Sequence, residues 1–356
     1  MTATTRRTAG RRAATVVIGA VGATALLAGC AQEVPTPVAE EPFDGPMVSV
    51  EQEEAVVTDV AAVLTKADEE RDAGLLKPRV AGPALEVRSS QLEVAAERED
   101  NSLVTDIPTD ILRSILPTTQ TWPRATFTIT EPTEDLEVNR LVAYQQSSAR
   151  DNYRLWAWVQ LIPGTTMPNF ADPELIGSEA VAADDDSLQV TPTEAMAQYA
   201  DLVTRGTEDS ENAAAFELPS ESQDLVARVQ ADARSVREDD AFGEADGSYA
   251  LKFVPQSDLV AVRTSDGGAV VMGALDGNVR IKVEEDGEIN PLTETQQALV
   301  GDADATNELY VEYTDQVALY VPPAGSEELM RPLGFSHVAV AADTSIPDKK
   351  NTDRKG

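Results

Sequence analysis

The chain has 356 residues and a formal net charge of -34 at pH 7, because 62 acidic residues outnumber 28 basic ones. Such a surface repels phosphate backbones, which argues against nucleic acid as a partner, and it also repels anionic membranes and wall polymers. The single cysteine excludes intrachain disulfides, so folding must depend on apolar burial, which a chain of this length can supply.

Residues 1–29 have the composition of an export signal. Four arginines, the last at Arg12, precede an uncharged stretch from Ala13 to Gly29. That stretch is shorter than the ~20 apolar residues that a membrane span requires, so we predict a cleaved signal peptide and not a spanning helix. Neither arginine pair is followed by the apolar residues usual in twin-arginine signals. The sequence leaves open whether export uses the general secretory system (Sec) or the twin-arginine system (Tat).

The signal ends in Leu27-Ala28-Gly29-Cys30, which resembles the lipobox of bacterial lipoproteins. The resemblance implies that diacylglycerol is attached to the Cys30 sulfur, that cleavage falls between Gly29 and Cys30, and that the new amino terminus is open to acylation, for example by palmitate. It also implies a lipid-anchored protein on the extracytoplasmic face of the cell membrane. The excess of arginine over lysine is typical of a high-GC Gram-positive source.

The remaining chain is predicted to have the α+β fold class. Residues 30–49 are rich in proline and acid and form a flexible linker, and residues 347–356 form a disordered tail. Between them we predict two α+β domains, 50–205 and 221–346, joined by a linker at 206–220.

The first domain opens with apolar residues at helical spacing, which predict a helix from Glu51 to Ala73. A second short helix is expected from Pro83 to Leu92, and a short helix or turn from Ile107 to Leu116, with Pro108 at its start. Strands then follow, and a helix closes the domain. The strands span Arg124–Thr130, Leu136–Gln146 and Arg154–Leu161, and the helix spans Pro192–Thr204.

The second domain repeats this order, since a helix beginning near Ser222 precedes a mostly antiparallel set of strands. Turns are predicted at Asp266-Gly267-Gly268 and at Asp276-Gly277. The strands are expected at residues 249–254, 259–265, 269–275, 278–284, 309–313, 316–321 and 335–341.

A helix followed by several antiparallel strands is similar to the cone-shaped NTF2-like (SnoaL-type) architecture, with copies over about 50–205 and 220–344. The resemblance lies in element order and implies a pocket inside each cone. Residues 67–72 and 82–88 also resemble segments of uncharacterised actinobacterial-type lipoproteins, a family that implies no activity.

The chain shows no catalytic motif and no cofactor-binding motif. His337 is the only histidine, and its alternation with apolar neighbours predicts a polar side chain on the outer face of a strand, without an identifiable partner. No serine lies in a nucleophile elbow, and the glycines of the turns lack the pattern of a phosphate loop. Trp156 and Trp158 are expected to pack the sheet against a helix, the alternative being a sugar-binding groove shared with Trp122.

Calcium is the ion that the composition favours, and the metal question stays open. The stretch from Asp302 to Asn307 begins like an EF-hand loop but has Asn in place of the turn glycine and Tyr313 in place of the bidentate Glu. Asp184-Asp185-Asp186 and Glu284 to Glu288 are further acidic runs. Each is expected to be a solvated loop.

We therefore expect a lipid-anchored binding or scaffold protein of the cell envelope, acting on a protein partner or a ligand through its sheet faces or the surface between its halves. The expected protein is not an enzyme. One alternative is an NTF2-like enzyme that uses a buried carboxylate with a raised pKa inside a pocket. The other is a solute-binding lipoprotein, although such receptors usually have parallel sheets.

Overall fold

The computed structural model describes residues 45–119, 121–132, 138–219 and 223–345. The predicted signal peptide, Cys30, most of the linker 30–49 and the tail 347–356 lie outside the described residues. The described chain belongs to one compact unit. None of its helices combines the length and apolar character that crossing a bilayer requires.

Two helices open the fold. Helix α1 spans Val50–Glu70 and begins at Ser49, whose hydroxyl accepts the Gln52 backbone N–H in a capping box. It ends three residues before the predicted boundary because Arg71 takes the left-handed conformation, with φ of 50°. Helix α2 spans Gly82–Arg98 and is longer than predicted.

Eight strands form one antiparallel sheet in the order β1-β3-β4-β5-β10-β9-β8-β7, which confirms the predicted α+β class. Two further short strands, β2 and β6, pair with each other in parallel. The strands are β1 Ile111–Ile115, β2 Pro117–Thr118, β3 Arg124–Thr130, β4 Arg140–Gln146, β5 Arg154–Leu161, β6 Ser178–Glu179, β7 Ser248–Arg263, β8 Ala269–Lys282, β9 Glu308–Val321 and β10 Arg331–Asp343.

Four further helices lie between these strands. They are α3 Pro192–Asp209, α4 Leu225–Arg237, α5 Asp240–Glu244 and α6 Glu294–Val300. Helix α3 is interrupted at Gly206 (φ 78°, ψ 175°), where the predicted linker 206–220 begins. Helical backbone then resumes to Asp209 and a 3-10 turn occupies Ala213–Ala215, so the linker carries more regular structure than expected.

Two local predictions are wrong. The expected helix or turn at 107–116 is largely strand β1, whose backbone pairs with β3 from Ile111 to Ile115. The expected turn at Asp276-Gly277 lies inside β8, where Gly277 stands opposite Phe253 of β7. A side chain at Gly277 would clash with the Phe253 ring, so this glycine permits close packing within a strand and does not mark a turn.

The predicted domains 50–205 and 221–346 contribute four strands each to the one sheet. Their seam is the pairing of β5 with β10, at Gly334 with Leu161 and Phe335 with Gln160. Helices α1 and α2 bury Val60 and Val87 with the apolar residues of β4 and β5, and α3 and α4 pack on the second half of the sheet.

The predicted burial of Trp156 and Trp158 is confirmed, since both are at most 2% exposed. Gly82, the first residue of α2, has a φ of 57°, and a Cβ there would lie 2.5 Å from Trp156 Nε1. The glycine therefore serves both the backbone conformation and the close approach of the indole.

We predict that Gly82→Ala destabilises the protein by about 2–4 kcal/mol, the sum of left-handed backbone strain and overpacking against Trp156. Gly164→Ala is the matched control, because Gly164 also has positive φ (79°) but no atom lies within 4 Å of a Cβ there. Urea unfolding measures both. Equal losses for the two variants would show that the contact with Trp156 has no energetic weight.

Candidate functional site

A cleft opens where the two halves of the sheet separate. Beyond Phe335, β10 continues to pair with β9 but has no further partner in β5. The Gln316 side chain spans the gap: its Oε1 accepts the Trp158 backbone N–H at 2.9 Å and its Nε2 donates to Ser336 Oγ at 2.9 Å. The cavity beside this bridge has a volume of about 430 Å³. We call it the seam cleft, and its polar lining includes Arg140, Trp158, Gln160, Gln223, Arg228 and His337.

Arg140 is the most unusual residue of the seam cleft. It is 7% exposed, and no described residue accepts a hydrogen bond from its guanidinium, whose Nε is fully buried. Burial lowers the pKa of Arg140 and the charge of Asp106 opposes this, but no ion pair forms between them. An arginine remains protonated in proteins, so the cleft contains a buried cation for which no described residue provides a counter-ion.

The register of the sheet fixes the position of this cation. Arg140 pairs with Gln160 of β5, which in turn pairs with Phe335 of β10. Directly paired residues of antiparallel strands share a face, so all three lie side by side on one face of the sheet. All three line the seam cleft.

Trp158 supplies a second buried donor. The residue is fully buried, it lines the seam cleft, and its indole Nε1 has no hydrogen-bond partner among the described residues. Buried donors are almost always paired, and Arg140 and Trp158 each place one buried donor without a partner among the described residues in the wall of this cavity.

His337 and Asp315 form a third element of the site. They are direct partners across β10 and β9, and the His337 Nδ1 lies 2.8 Å from Asp315 Oδ1. Asp315 is fully buried, which raises the pKa of its carboxyl, while His337 opposes that effect. Since Nδ1 faces Asp315, the Nε2 atom is the nitrogen left for a ligand.

The expectation that His337 lies on an outer strand face without a partner is therefore wrong. Its side chain is 10% exposed, and its ring stacks on Tyr313 with centroids 4.4 Å apart. Asp315 precedes His337 by 22 residues and reaches it only through the register of two long strands, which the local pattern does not encode.

The electrostatics of the seam cleft differ from those of the whole chain. Arg228 projects from α4 into it and makes no ion pair among the described residues, and no aspartate or glutamate belongs to the lining. An adjoining cavity of about 350 Å³ shares Thr105, Arg228 and His337 and adds Asp232. In a protein of net charge -34, a pocket whose described lining residues include two arginines and no acid is a local reversal of sign.

A separate buried acid, Glu53, lies on the buried face of α1. Burial raises its pKa to about 7, and the nearby hydroxyls of Ser114 and Thr126 oppose the shift. Neither carboxylate oxygen has a partner at good hydrogen-bonding geometry. Tyr144 and Thr128 complete this polar cluster inside the first half. Glu53 does not line the seam cleft.

The acidic runs considered for calcium do not converge. Asp185 is engaged by Arg263, whose Nη2 lies 2.8 Å from Asp185 Oδ2. Asp302 and Asp304 are exposed. Within 45–119, 121–132, 138–219 and 223–345, no group of three or more acidic, histidine or cysteine side chains is arranged to hold a metal ion.

The chain belongs to a protein family described as a domain of unknown function, DUF8094, whose family model matches residues 44–343. No curated protein and no solved structure matches the chain significantly.

We predict that Glu53→Gln removes a pH dependence of stability. Because the folded pKa of about 7 exceeds the unfolded value of 4.5, the folded state holds more protons, and stability is lost as pH rises between these values. The free energy of unfolding of the wild type should fall by about 3 kcal/mol between pH 4.5 and pH 7, and that of the variant should not.

Glu54→Gln is the control, since Glu54 is the exposed neighbour on α1 and the same charge is removed. Urea unfolding at pH 4.5, 6 and 8 measures the three proteins. Parallel pH profiles for Glu53→Gln and the wild type would contradict the assignment of the effect to Glu53.

Proposed function

We propose that this protein is a lipid-anchored extracytoplasmic binding protein whose seam cleft holds a small ligand bearing a carboxylate or phosphate group. The observation that carries the proposal is Arg140, a buried cation that lines the cleft and has no counter-ion among the residues that the structure describes. The described part of the lining includes no aspartate or glutamate, which supports the same ligand chemistry.

The energetics favour an anion as the missing partner. A buried charge costs several kcal/mol unless it is paired, and a carboxylate or phosphate pairs with a guanidinium through two parallel hydrogen bonds. Arg228 offers additional donors on the other side of the cavity. The volume of about 430 Å³ falls within the range typical of small-molecule sites.

The lipid anchor at Cys30 gives the location of this proposed activity. A ligand cleft is compatible with a binding protein of the cell envelope and with a solute-binding lipoprotein. The antiparallel sheet favours the former, because solute receptors usually have parallel sheets.

An enzyme that uses a buried carboxylate is the second candidate, and Asp315 is the acid best placed for it. Asp315 would hold the His337 ring so that Nε2 accepts a proton from a water or substrate in the cleft. His337→Asn would then abolish turnover, whereas in a binding protein it changes only affinity.

Arg140→Met is predicted to remove anion binding without loss of folding. Replacing a buried unpaired cation by an apolar side chain of similar length should leave the free energy of unfolding within about 1 kcal/mol, or raise it. The measurement is thermal unfolding at constant ionic strength with increasing inorganic phosphate or citrate. Specific binding stabilises by about 2.7 kcal/mol at one hundred times the dissociation constant.

Arg150→Met provides the control, because Arg150 is exposed in the turn between β4 and β5. Phosphate and citrate also stabilise proteins nonspecifically, and that part of the shift should appear in all three proteins. A saturable extra shift in the wild type and Arg150→Met, absent from Arg140→Met, is the expected result. Identical shifts in all three would contradict the proposal.

The lipid anchor has its own test. Cys30→Ala should move the protein from the detergent phase to the aqueous phase on phase partitioning of cells that express it. Intact mass of the wild type should show a chain that begins at Cys30 and carries diacylglycerol. A wild-type protein that starts elsewhere, or that lacks the lipid mass, would refute the anchor while leaving the cleft untouched.

A further inference from the structure

The loop between β5 and β6 holds a tight turn close to the end of β1. The backbone N–H groups of Ile176 and Gly177 both donate to the Asp172 carbonyl, at 3.1 and 2.8 Å. Gly177 has a φ of 71°, and a Cβ there would lie 2.7 Å from the Leu116 carbonyl oxygen. The next residue, Ser178, donates its N–H to that same carbonyl. The turn is therefore fixed to the sheet by hydrogen bonds and close packing.

This turn presents two apolar side chains to solvent. Leu175 is 76% exposed and Ile176 is 64% exposed, the highest values among the large hydrophobic residues of the described chain. Leu112 is 58% exposed and lies on the edge strand β1. It precedes Leu116 by four residues, which corresponds to about 13 Å of extended chain. Leu175 and Ile176 therefore form an exposed apolar pair beside the end of β1, and Leu112 lies toward the opposite end of that strand.

The polypeptide enters the fold at the same place. Pro46, the second described residue, packs on Gly177, since its Cγ would lie 3.0 Å from a Cβ at that position. Fifteen residues lie between Cys30 and Pro46 in the sequence, so sixteen residue-to-residue steps join them. A flexible segment of that length has a root-mean-square span of about 22 Å and a limit of about 55 Å.

We propose that Leu175 and Ile176 insert into the lipid bilayer to which Cys30 anchors the chain. The inference rests on the proposed lipid anchor and is independent of the seam cleft. The occupant is lipid, because the bilayer is held within reach of this turn by the chain itself, at a high effective concentration. A protein partner needs roughly 800 Å² on each side, more than two side chains provide.

In this arrangement the lipid anchor and the turn contribute differently to membrane binding. Diacylglycerol supplies the affinity, and the two side chains fix the orientation of the domain relative to the membrane. Asp172 and Glu174 immediately precede the apolar pair, so insertion should be shallow, with the carboxylates remaining at the water-facing boundary.

The test uses the lipidated full-length protein in phosphatidylcholine nanodiscs. Lipidation blocks the only native cysteine, so Ile176→Cys can be labelled alone with an environment-sensitive fluorophore. Leu292→Cys is the control, because Leu292 is 53% exposed and precedes α6 in the other half of the sheet. We expect the label at 176, and not the one at 292, to shift its emission to the blue and to be quenched by shallow nitroxide lipids.

Equal emission and equal quenching at the two positions would overturn the proposal. A label at 176 that is shielded in native membranes but is not quenched by nitroxide lipids would assign the turn to a protein partner and would also overturn it. Labelling of Cys30 itself would instead show that the lipid anchor is absent, so the failure of the anchor is distinguishable from failure of the insertion.

Discussion

The rest of the structure depends on the short pairing of β5 with β10. Two residue pairs join the halves of an eight-stranded sheet, and one of them needs Gly334, since a Cβ there would lie 2.6 Å from the Gln160 carbonyl oxygen. Glycine at this point permits the two backbones to approach closely. The strands beyond it diverge, and the Gln316 side chain spans the space that a third pair would have closed. The seam therefore both unites the halves and leaves a cavity between them.

The same seam explains why a buried arginine is tolerated. Arg140 begins β4 in the last row of residues that pairs across the seam. Its side chain lines the cleft that opens beyond this row. Without a ligand, a hydrophobic side chain would fill this space at a lower cost in folding free energy. The reason is that no described residue offsets the desolvation of the buried charge. The arrangement is consistent with a site whose electrostatic balance is completed by a ligand.

Local patterns predicted the elements better than their arrangement. The helical spacing of Val56, Val60 and Leu64 correctly indicated α1, and the glycines at 267 and 268 correctly indicated the turn between β7 and β8. The turn that the sequence predicts at Asp276-Gly277 is wrong, because a glycine that permits Phe253 to pack closely has the same sequence signature as a turn glycine. Residues 107–116 were misread because edge pairing with β3, a long-range contact, decides their conformation.

The candidate site could not be read from the sequence for a related reason. Arg140, Asp315 and His337 come from three strands, and only the order and register of the sheet bring them together. No spacing rule relates them, because their separations depend on the lengths of the intervening loops and helices. The burial of the two tryptophans was predictable, since aromatic residues on a central strand pack in the core, but the unpaired Nε1 of Trp158 was not.

The acidic surface and the basic cleft act together on the choice of ligand. A net charge of -34 repels polyanions over their whole length, whereas a small anion crosses the repulsive layer readily, because charges are screened within about 8 Å at physiological ionic strength. Once inside the seam cleft, the small anion meets Arg140 and Arg228, and none of the described lining residues carries a carboxylate. The same charge distribution that argues against nucleic acid and wall polymers therefore favours a ligand small enough to be enclosed, and size becomes part of the selectivity.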